Sequence, residues 1–403
     1  MATFNASTIS GILKQVYSKE NVLQIQNMET ELYAKFKKTL KTHSPQGQGW
    51  YFAARFQSNQ GIKSTGTSSG TLPTAGTAPV QQAKVTPVRH YGAIQIDRMY
   101  LDQGANKDAA FAANVLADAL DNSFEAFFDD QHRQMFGTGT GVIATITDTA
   151  NSATHPVADG MYLRVGEVVD LWDSAFTAVK VAGLTVNSYD PFANTVTFSA
   201  AYNSAANDVI VRNGITPSTT APMELTGLPA IVGNASDLTT FEAISRTSFP
   251  DWSAQVFNAN GGALTLDVLQ KMIDRGQIKS GKKINLMISR HGQRRKLFEL
   301  VIPQIRYAEG AGIDAGAIDP KVFGYEFLID RYCNQGTIYG LNTDSIEQFT
   351  LRDAELAESP EGYQFTRVAT LDELQTYIVA YHNLGGVNPG ANFKITNLLE
   401  PAY

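Results

Sequence analysis

The segment from residue 57 to residue 82 constrains the fold of this 403-residue chain more than any other. It consists almost entirely of Ser, Thr, Gly, Gln, Pro and Ala, and its only large apolar residues are Ile62, Leu72 and Val80. Such a composition cannot bury enough apolar surface to form a core. Strand-like runs flank it at residues 50–56 and 83–97. The pattern therefore predicts two strands with a long polar tip, a kind of loop that is usually functional or disordered.

Pro87 lies inside the second of these runs. Because proline cannot donate a hydrogen bond to a neighbouring strand, it indicates an edge position for a single strand from Ala83 to Asp97.

A long amphipathic helix is predicted after this strand, over residues 106–136. Apolar residues recur there at steps of three and four, which places them on one stripe. Glycines at positions 137, 139 and 141 follow, and glycine commonly ends a helix. The stripe consists of Ala109, Ala112, Leu116, Leu120, Phe124 and either Phe127 or Phe128. The residues that lie mostly off the stripe are Asp118, Asp121, Asp129, Asp130 and Gln131.

The rest of the chain mixes helical and strand-like patterns, which indicates an α+β fold class. Helical spacing occurs twice within residues 5–42, first at Ile9, Ile12, Leu13 and Val16 and then at Met28, Leu32, Phe36 and Leu40. Five strand-like runs indicate a small β domain between residues 141 and 214, with one hairpin turning at residues 190–194. These runs are Val142–Thr147, Met161–Val165, Thr177–Val186, Asn194–Phe198 and Asp208–Arg212.

Mixed α/β structure is expected to follow over residues 223–350. Helices are predicted at Leu264–Gly276 and His291–Leu300, and strands at Lys283–Ser289, Val322–Asp330 and Gly336–Asn342. The last stretch, Tyr363–Leu399, is predicted to be a long strand pair interrupted by glycine and proline.

Composition limits the possible classes of function. The chain has 32 Lys and Arg against 39 Asp and Glu, a formal net charge of −7. Proteins that mainly grip nucleic acid usually carry a basic excess instead. The single cysteine, Cys333, excludes an internal disulfide. No secretory signal and no membrane span are expected.

Two glycine motifs suggest catalysis, but their context argues against it. Gly66–Gly70 matches the Gly-x-Ser-x-Gly elbow, which needs a strand before the serine and a helix after it. Both flanks here belong to the polar tip. Gly137–Gly141 resembles a phosphate-binding loop, yet it follows a helix and opens a strand, the reverse of the required order.

Histidines and charged clusters give no specific signal for catalysis, a cofactor or a metal. The six histidines show no metal-ligand spacing, and a His-Asp-Ser set could form only by assembly in space. The simplest interpretation of the basic clusters is that they are solvated, ion-paired faces. The alternative is that they contact a neighbouring subunit or DNA phosphates. The histidines are His43, His90, His132, His155, His291 and His382. The clusters are Arg290, Arg294, Arg295 and Lys296, and Lys35, Lys37, Lys38 and Lys41.

The order of these parts resembles a known family, the tailed-bacteriophage major capsid proteins of the Hong-Kong-97-type fold, which encapsulins share. Four segments are similar to parts of that family. Asn334–Gly340 resembles the return from the axial to the peripheral domain, and Thr376–His382 with Phe393–Ile395 resembles the closing peripheral strands. Gly227–Val232, followed by Trp252, resembles a subgroup with a β insertion after the long helix.

The resemblance implies a division of the chain into six parts. They are an N-terminal arm (1–46), an extended hairpin or E-loop (47–100), a spine helix of the peripheral domain (101–140), an inserted β domain (141–222), an axial domain (223–350) and closing peripheral strands (351–403). No long separate propeptide is expected before the arm, which implies that any scaffolding function comes from another protein.

The function implied by the resemblance is structural and not enzymatic. Copies of the chain would assemble as pentamers and hexamers into an icosahedral virion shell around double-stranded DNA, in the host cytoplasm. A portal protein, a separate scaffolding protein and decoration proteins are the implied partners, without a membrane. In some members a hairpin lysine is cross-linked to another subunit; Lys63 is the lysine at this place, and a chance surface lysine is the simpler interpretation.

Two alternatives remain open. One is an encapsulin-like compartment shell that holds a cargo enzyme. The other is a tail-associated protein that binds or hydrolyses glycans, for which Glu167 with Asp170, or Asp353 with Glu355, would act as acid and base. Exposed surface charges explain these carboxylates more simply.

Overall fold

The structure is a computed structural model. It describes residues 32, 35–38, 49–56, 61–64, 71–76, 78, 80–99, 109–219, 221–305, 323–357, 365–368 and 370–401. The sequence predictions for residues 5–31, Lys41, His43 and Gly66–Gly70 lie outside the described residues.

A five-stranded sheet carries the long helix, and we call it the first sheet. Its central strand β19 (Glu373–Gly386) pairs antiparallel with β4 (Val88–Asp97) on one side and with β17 (Ile346–Leu356) on the other. The short strands β1 (Lys37–Lys38) and β18 (Thr366–Arg367) complete it. Helix α1 (Ala109–Gln134) covers one face, where Phe127 is buried with Ile94, Ile96, Ile378 and Ala380.

The hairpin strands are β2 (Trp50–Arg55) and β3 (Val80–Val85), paired antiparallel from Trp50↔Val85 to Arg55↔Val80. The prediction of one strand from Ala83 to Asp97 was wrong, because Pro87 separates β3 from β4. A break at this position lets the chain leave the hairpin and enter the first sheet, where β4 is an edge strand.

Strands β5 to β10 close into a barrel in the order β10-β5-β6-β9-β8-β7. Their inward-facing side chains, such as Val169, Leu171, Val196 and Ile210, are almost fully buried, as the alternation of a half-buried strand requires. The strands are β5 (Val142–Ile146), β6 (Asn151–Ala158), β7 (Val168–Trp172), β8 (Val179–Asp190), β9 (Thr195–Asn203) and β10 (Val209–Arg212). The strand predicted at Met161–Val165 is instead a 3₁₀ turn, Gly160–Tyr162, followed by an irregular segment.

A second five-stranded sheet has the order β13-β20-β16-β14-β15. Helix α3 (Leu266–Ser280), capped by the Thr265 hydroxyl, and helix α4 (His291–Ile305) contribute Leu269, Met272, Ile273 and Leu297 to its core. The strands are β13 (Gln255–Asn258), β14 (Leu286–Ser289), β15 (Glu326–Ile329), β16 (Ile338–Leu341) and β20 (Phe393–Thr396).

Short elements lie between the barrel and the second sheet and between the two sheets. They are helix α2 (Leu228–Ile231), the two-stranded ribbon of β11 (Thr240–Phe241) and β12 (Ile244–Ser245), and the 3₁₀ turns Pro250–Trp252, Thr343–Ser345 and Pro389–Ala391.

Two further predictions were wrong. Tyr363–Leu399 is not one strand pair, because β19 and β20 belong to different sheets and their partners lie far away in the sequence. Lys37 and Lys38 do not continue a helix, since they form the strand that pairs with β17. Leu32 and Phe36, predicted on the same helical stripe, are buried in the main core.

Phe393 gives a test of packing in the second sheet, because two glycines lie near its ring. A Cβ atom on Gly340 would lie 2.2 Å from the ring, whereas one on Gly276 of α3 would lie 3.8 Å from it. We expect Gly340→Ala to destabilise the fold by about 1–3 kcal/mol through overpacking. The control, Gly276→Ala, should be neutral or stabilise by about 0.5–1 kcal/mol, since alanine favours a helix. Thermal melts of both variants test this, and equal melting temperatures would contradict it.

Candidate functional site: the charged end of the long helix

The last turns of α1, from Asp129 to Gln134, are almost entirely buried, and residues of the barrel and of the segment after β15 contact them. Asp129, Gln131, His132 and Arg133 are all less than 9% exposed. Residues 129–131, which the sequence placed off the apolar stripe, are therefore interior. Buried charges are costly unless they are paired, so the neighbouring elements must supply partners.

Asp129 binds three groups from two different parts of the chain. One carboxylate oxygen accepts hydrogen bonds from the Arg331 guanidinium at 2.8 Å and from the Tyr332 hydroxyl at 2.7 Å. The other pairs with Arg164, which lies between the barrel strands β6 and β7. A single carboxylate thus joins α1 to the barrel and to the segment after β15.

Asp130 and Arg133 form the second half of the network. Arg133 bridges Asp130 at 3.1 Å and Glu224 at 2.6 Å, and Arg212 of β10 binds Asp130 at 2.6 Å. Although burial alone would raise the pKa of Asp130, the charges of Arg133 and Arg212 hold it below its ordinary value. Asp130 is therefore ionised at neutral pH.

Three guanidinium groups surround the ring of Tyr162, in the 3₁₀ turn of the barrel. Those of Arg133 and Arg164 lie 5.1 Å from the ring centroid, and that of Arg212 lies 5.4 Å from it. Each distance allows a cation–π attraction. Burial, together with the charge of Asp130, raises the pKa of Tyr162 to about 12, so the hydroxyl stays neutral.

Asp148, His155 and Ser204 do meet in space at one end of the barrel, but not as a catalytic set. The Ser204 hydroxyl donates to Asp148, at 3.0 Å, and not to the imidazole. The two ring nitrogens of His155 face Asp148 at 3.0 Å and the Ser152 carbonyl at 2.7 Å. A catalytic triad needs a hydrogen bond between the serine hydroxyl and the imidazole. Here both groups bind Asp148 instead, so the network is not arranged for catalysis.

Three of the other described histidines, His90, His132 and His382, are buried. His132 pairs with Asp330 at 2.6 Å. His90 and His382 are buried and stack at 4.6 Å between ring centroids, and burial lowers the pKa of His90 to about 4. Burial, followed by the charges of Arg294 and Arg290, lowers the pKa of His291. Among the described residues no group of His, Cys, Asp and Glu could hold a metal ion.

The basic cluster at the start of α4 does not form one exposed patch. Arg290 is buried, Arg295 donates to the Pro401 carbonyl at 2.8 Å, and Lys296 pairs with Glu299 at 2.9 Å. Lys35, from the other basic cluster, pairs with Glu326. These contacts favour the interpretation of ion-paired faces within one chain.

Two of the four carboxylates considered as acid and base, Asp170 and Glu355, are engaged elsewhere. Asp170 accepts three hydrogen bonds of 2.8 Å, from the backbones of Gly183 and Gly214 and from the Asn213 amide. Glu355 pairs with Arg352. In the hairpin tip the amine of Lys63 donates to the Thr71 hydroxyl at 3.4 Å. Gly139 and Gly141 adopt positive φ in the turn that leads from α1 to β5.

Glu242 occupies the base of the hairpin. Its backbone carbonyl accepts from the Lys84 amide of β3 at 2.9 Å, and its side chain accepts from the Gly386 amide of β19 at 2.7 Å. The residue has a φ of 51°, which is strained for a non-glycine residue. Burial raises the pKa of its carboxyl to about 8. Glu242 thus fastens the hairpin to the first sheet at an energetic cost.

The comparisons with known proteins are informative about the fold. No protein-family model and no curated protein matches the sequence. A chain of the cyanophage A-1(L) capsid asymmetric unit is 11% identical, with a TM-score of 0.57 over 98% of this chain and 100% of that chain. The capsid of a native GTA particle is 10% identical, with a TM-score of 0.50 over 97% and 98%. This chain has the fold of phage capsid proteins.

A chain of the holo-SrpI encapsulin complex from Synechococcus elongatus also aligns with this chain. It is 8% identical and covers 100% of this chain and 99% of that one, with a TM-score of only 0.45. None of the helices among the described residues is long and apolar enough to cross a membrane.

Glu242 should make the stability of the capsid-fold subunit depend on pH. Its folded-state pKa is about 8, above the ordinary 4.5, so its stabilising contribution is complete below pH 4.5 and is lost as pH rises through 8. Between pH 5 and 8 we expect the free energy of unfolding of the wild type to fall by on the order of 4 kcal/mol more than that of Glu242→Gln. Denaturant unfolding of unassembled subunits at both pH values measures this difference. Parallel pH profiles of the two proteins would show that Glu242 does not titrate in this range.

Proposed function

We propose that this chain is the major capsid protein of a tailed bacteriophage. Copies would assemble as pentamers and hexamers into an icosahedral shell around double-stranded DNA. The observation that carries the proposal is the hairpin. Its tip leaves Ile62 85% and Leu72 91% exposed, so these side chains gain no burial within their own subunit. Contact with another copy would bury them.

The base of the hairpin supports the same function. Trp50 and Phe52 pack on Phe349 with ring centroids 5.7 and 6.0 Å apart, and Phe56 stacks on Phe249 at 4.9 Å. A firmly packed base can hold the polar tip away from its own subunit. The hairpin therefore suits a clasp between subunits better than a lid.

We assign the parts of the chain by the same proposal. Residues 47–100 would be the E-loop, 101–140 the spine helix, and 141–222 an inserted domain that corresponds to the barrel. Residues 223–350 would form the axial domain, and 1–46 and 351–403 the arm and the closing peripheral strands. Because β20 lies in the second sheet, the last of these parts would contribute to both domains.

The partners would be those of a phage head. A portal protein and a separate scaffolding protein are expected during assembly, and decoration proteins on the finished shell. The formal net charge of −7 suits a container that does not hold its DNA tightly.

Electron microscopy of the purified protein, with and without a co-expressed scaffolding protein, tests the proposal. We expect closed shells of uniform size. Monomers alone under both conditions would refute self-assembly. Particles that enclose a protein cargo and no DNA in the native host would instead identify a compartment shell.

The hairpin tip can be tested separately. Replacing residues 58–79 by Asn-Gly leaves β2 and β3 joined by a short turn, so the subunit should fold with an unchanged melting temperature. We expect it to fail to close shells. Normal shells from this variant would refute the clasp.

A milder variant tests the apolar contacts of the tip. Ile62→Ser with Leu72→Ser should raise the protein concentration needed for assembly by about tenfold or more, since two apolar side chains lose their burial between subunits. The matched control is Ile278→Ser, an equally exposed isoleucine on α3, at 84%. Light scattering against concentration measures the threshold, and equal thresholds for test and control would contradict a specific role.

A further inference from the structure

Three arginines of the charged network reach the surface of the subunit. We call Arg164, Arg212 and Arg331 the arginine rim. Their side chains are 50%, 37% and 41% exposed, whereas Arg133 and Asp129 beneath them are 7% and 8% exposed. The rim is therefore the accessible part of an otherwise interior ion network.

Arg164 and Arg212 use only part of their hydrogen-bonding capacity. Each guanidinium has five N–H donors in a planar fork. Arg164 engages Asp129 through Nη2, and Arg212 engages Asp130 and the Tyr162 hydroxyl through Nη2. Among the described residues no acceptor binds Nε or Nη1 of either arginine. Both guanidiniums lie within 5.4 Å of the centroid of the Tyr162 ring, so they are near neighbours of the same side chain.

Arginines outnumber carboxylates in the direct ion pairs of this region. Four arginines (the rim and Arg133) face three carboxylates, those of Asp129, Asp130 and Glu224, which gives 4 − 3 = +1. A fourth carboxyl, that of Glu167, makes no ion pair among the described residues. Burial raises the pKa of Glu167, whereas the charge of Arg212 lowers it.

Exposed apolar residues stand next to the network in the sequence. Val165 follows Arg164 and is 73% exposed, and Met223 precedes Glu224 and is 40% exposed. Ile215 and Met223 are both close to Gly141. A Cβ atom placed on this glycine would lie 3.5 Å from each of them. Arginine, tyrosine and methionine are enriched at protein–protein interfaces, and arginine and tyrosine dominate their binding energy.

We propose that the arginine rim is an interface site that receives a carboxylate side chain from a second copy of this chain. A planar carboxylate matches the fork of Arg164 or Arg212, and a second copy supplies one from its excess of 39 acidic over 32 basic residues. This rests on the proposed function, because it requires copies to meet. It adds that the barrel contributes a polar contact to the shell alongside the apolar hairpin tip.

Nucleic-acid phosphate is the less suitable occupant. Binding DNA requires several cations along a groove, whereas the rim is a single compact group on a chain with net charge −7.

Zero-length cross-linking tests the proposal directly. Arg164→Lys and Arg212→Lys each keep the positive charge but replace the fork by a primary amine. Each variant, labelled with ¹⁵N, is co-assembled with a ninefold excess of unlabelled wild type and treated with a carbodiimide. The amine and a carboxylate then form an amide with formal loss of one water. The carbodiimide takes up this water and is converted into the corresponding urea. A heavy–light cross-linked peptide arises only between two copies, so reaction with Asp129 or Asp130 of the same chain is separated.

We expect a heavy–light cross-link at the introduced lysine in both variants, to one defined acidic peptide. The control is Arg275→Lys, an exposed arginine on α3 outside the rim, which should give only background. Shells without a heavy–light cross-link at position 164 or 212 would overturn this inference and leave the proposed function intact. Equal cross-linking of the control would also overturn it. Cross-linking only in DNA-free shells, with protection in filled ones, would assign the rim to DNA instead.

Absence of shells from wild type, from variants and from their mixtures would refute the proposed function itself. The two failures are therefore distinguishable in one experiment.

Discussion

The desolvated carboxylates of Asp129 and Asp130 fix how the parts of this subunit meet. Each lies near the end of α1, where an unpaired charge would cost several kcal/mol. Their partners come from the barrel, through Arg164 and Arg212, and from the segment after β15, through Arg331. An apolar contact tolerates sliding, but a shared carboxylate with directed hydrogen bonds does not. We infer that the network contributes more to the relative placement of helix, barrel and second sheet than to net stability.

The hairpin shows the same division between a fixed and an exposed part. Its base is held by aromatic packing on Phe349 and by the two hydrogen bonds of Glu242, whereas Ile62 and Leu72 at the tip have no such support. A strained, buried acid at the base has an energetic cost, and such costs concentrate where function requires a particular geometry. Glu242 accordingly holds the base of the hairpin against the first sheet.

Sequence patterns predicted the local elements better than their surroundings. The spacing of Leu120, Phe124 and Phe127 identified the helix and its core-facing stripe, because that signal is contained within the helix itself. The burial of Asp129 could not be predicted, since helical spacing does not reveal that a second layer covers the polar face. Arg133 pairs with Asp130 on the same helix face, but such pairs are common on exposed helices and do not indicate burial.

Pairing between distant segments was equally hidden. β20 pairs with β13, which lies more than a hundred residues earlier in the sequence, and with β16, which lies about fifty residues earlier. No local sequence pattern indicates such pairings. Closure of six short strands into a barrel is likewise a property of registers and not of composition. The candidate site, built from α1, the barrel and the loop after β15, therefore became visible only with the tertiary structure.

The connection between β3 and β4 has a mechanical consequence. Only Thr86 and Pro87 separate them, and β4 is then bonded to β19 along ten consecutive residue pairs, from Val88 to Asp97. Tension applied to the tip and directed along β4 would load this ladder in shear, so that many hydrogen bonds resist together instead of opening one after another. If the chain forms a shell as proposed, outward tension on the hairpin would act along β4. The sheet would then resist that tension in the direction in which it is mechanically strongest.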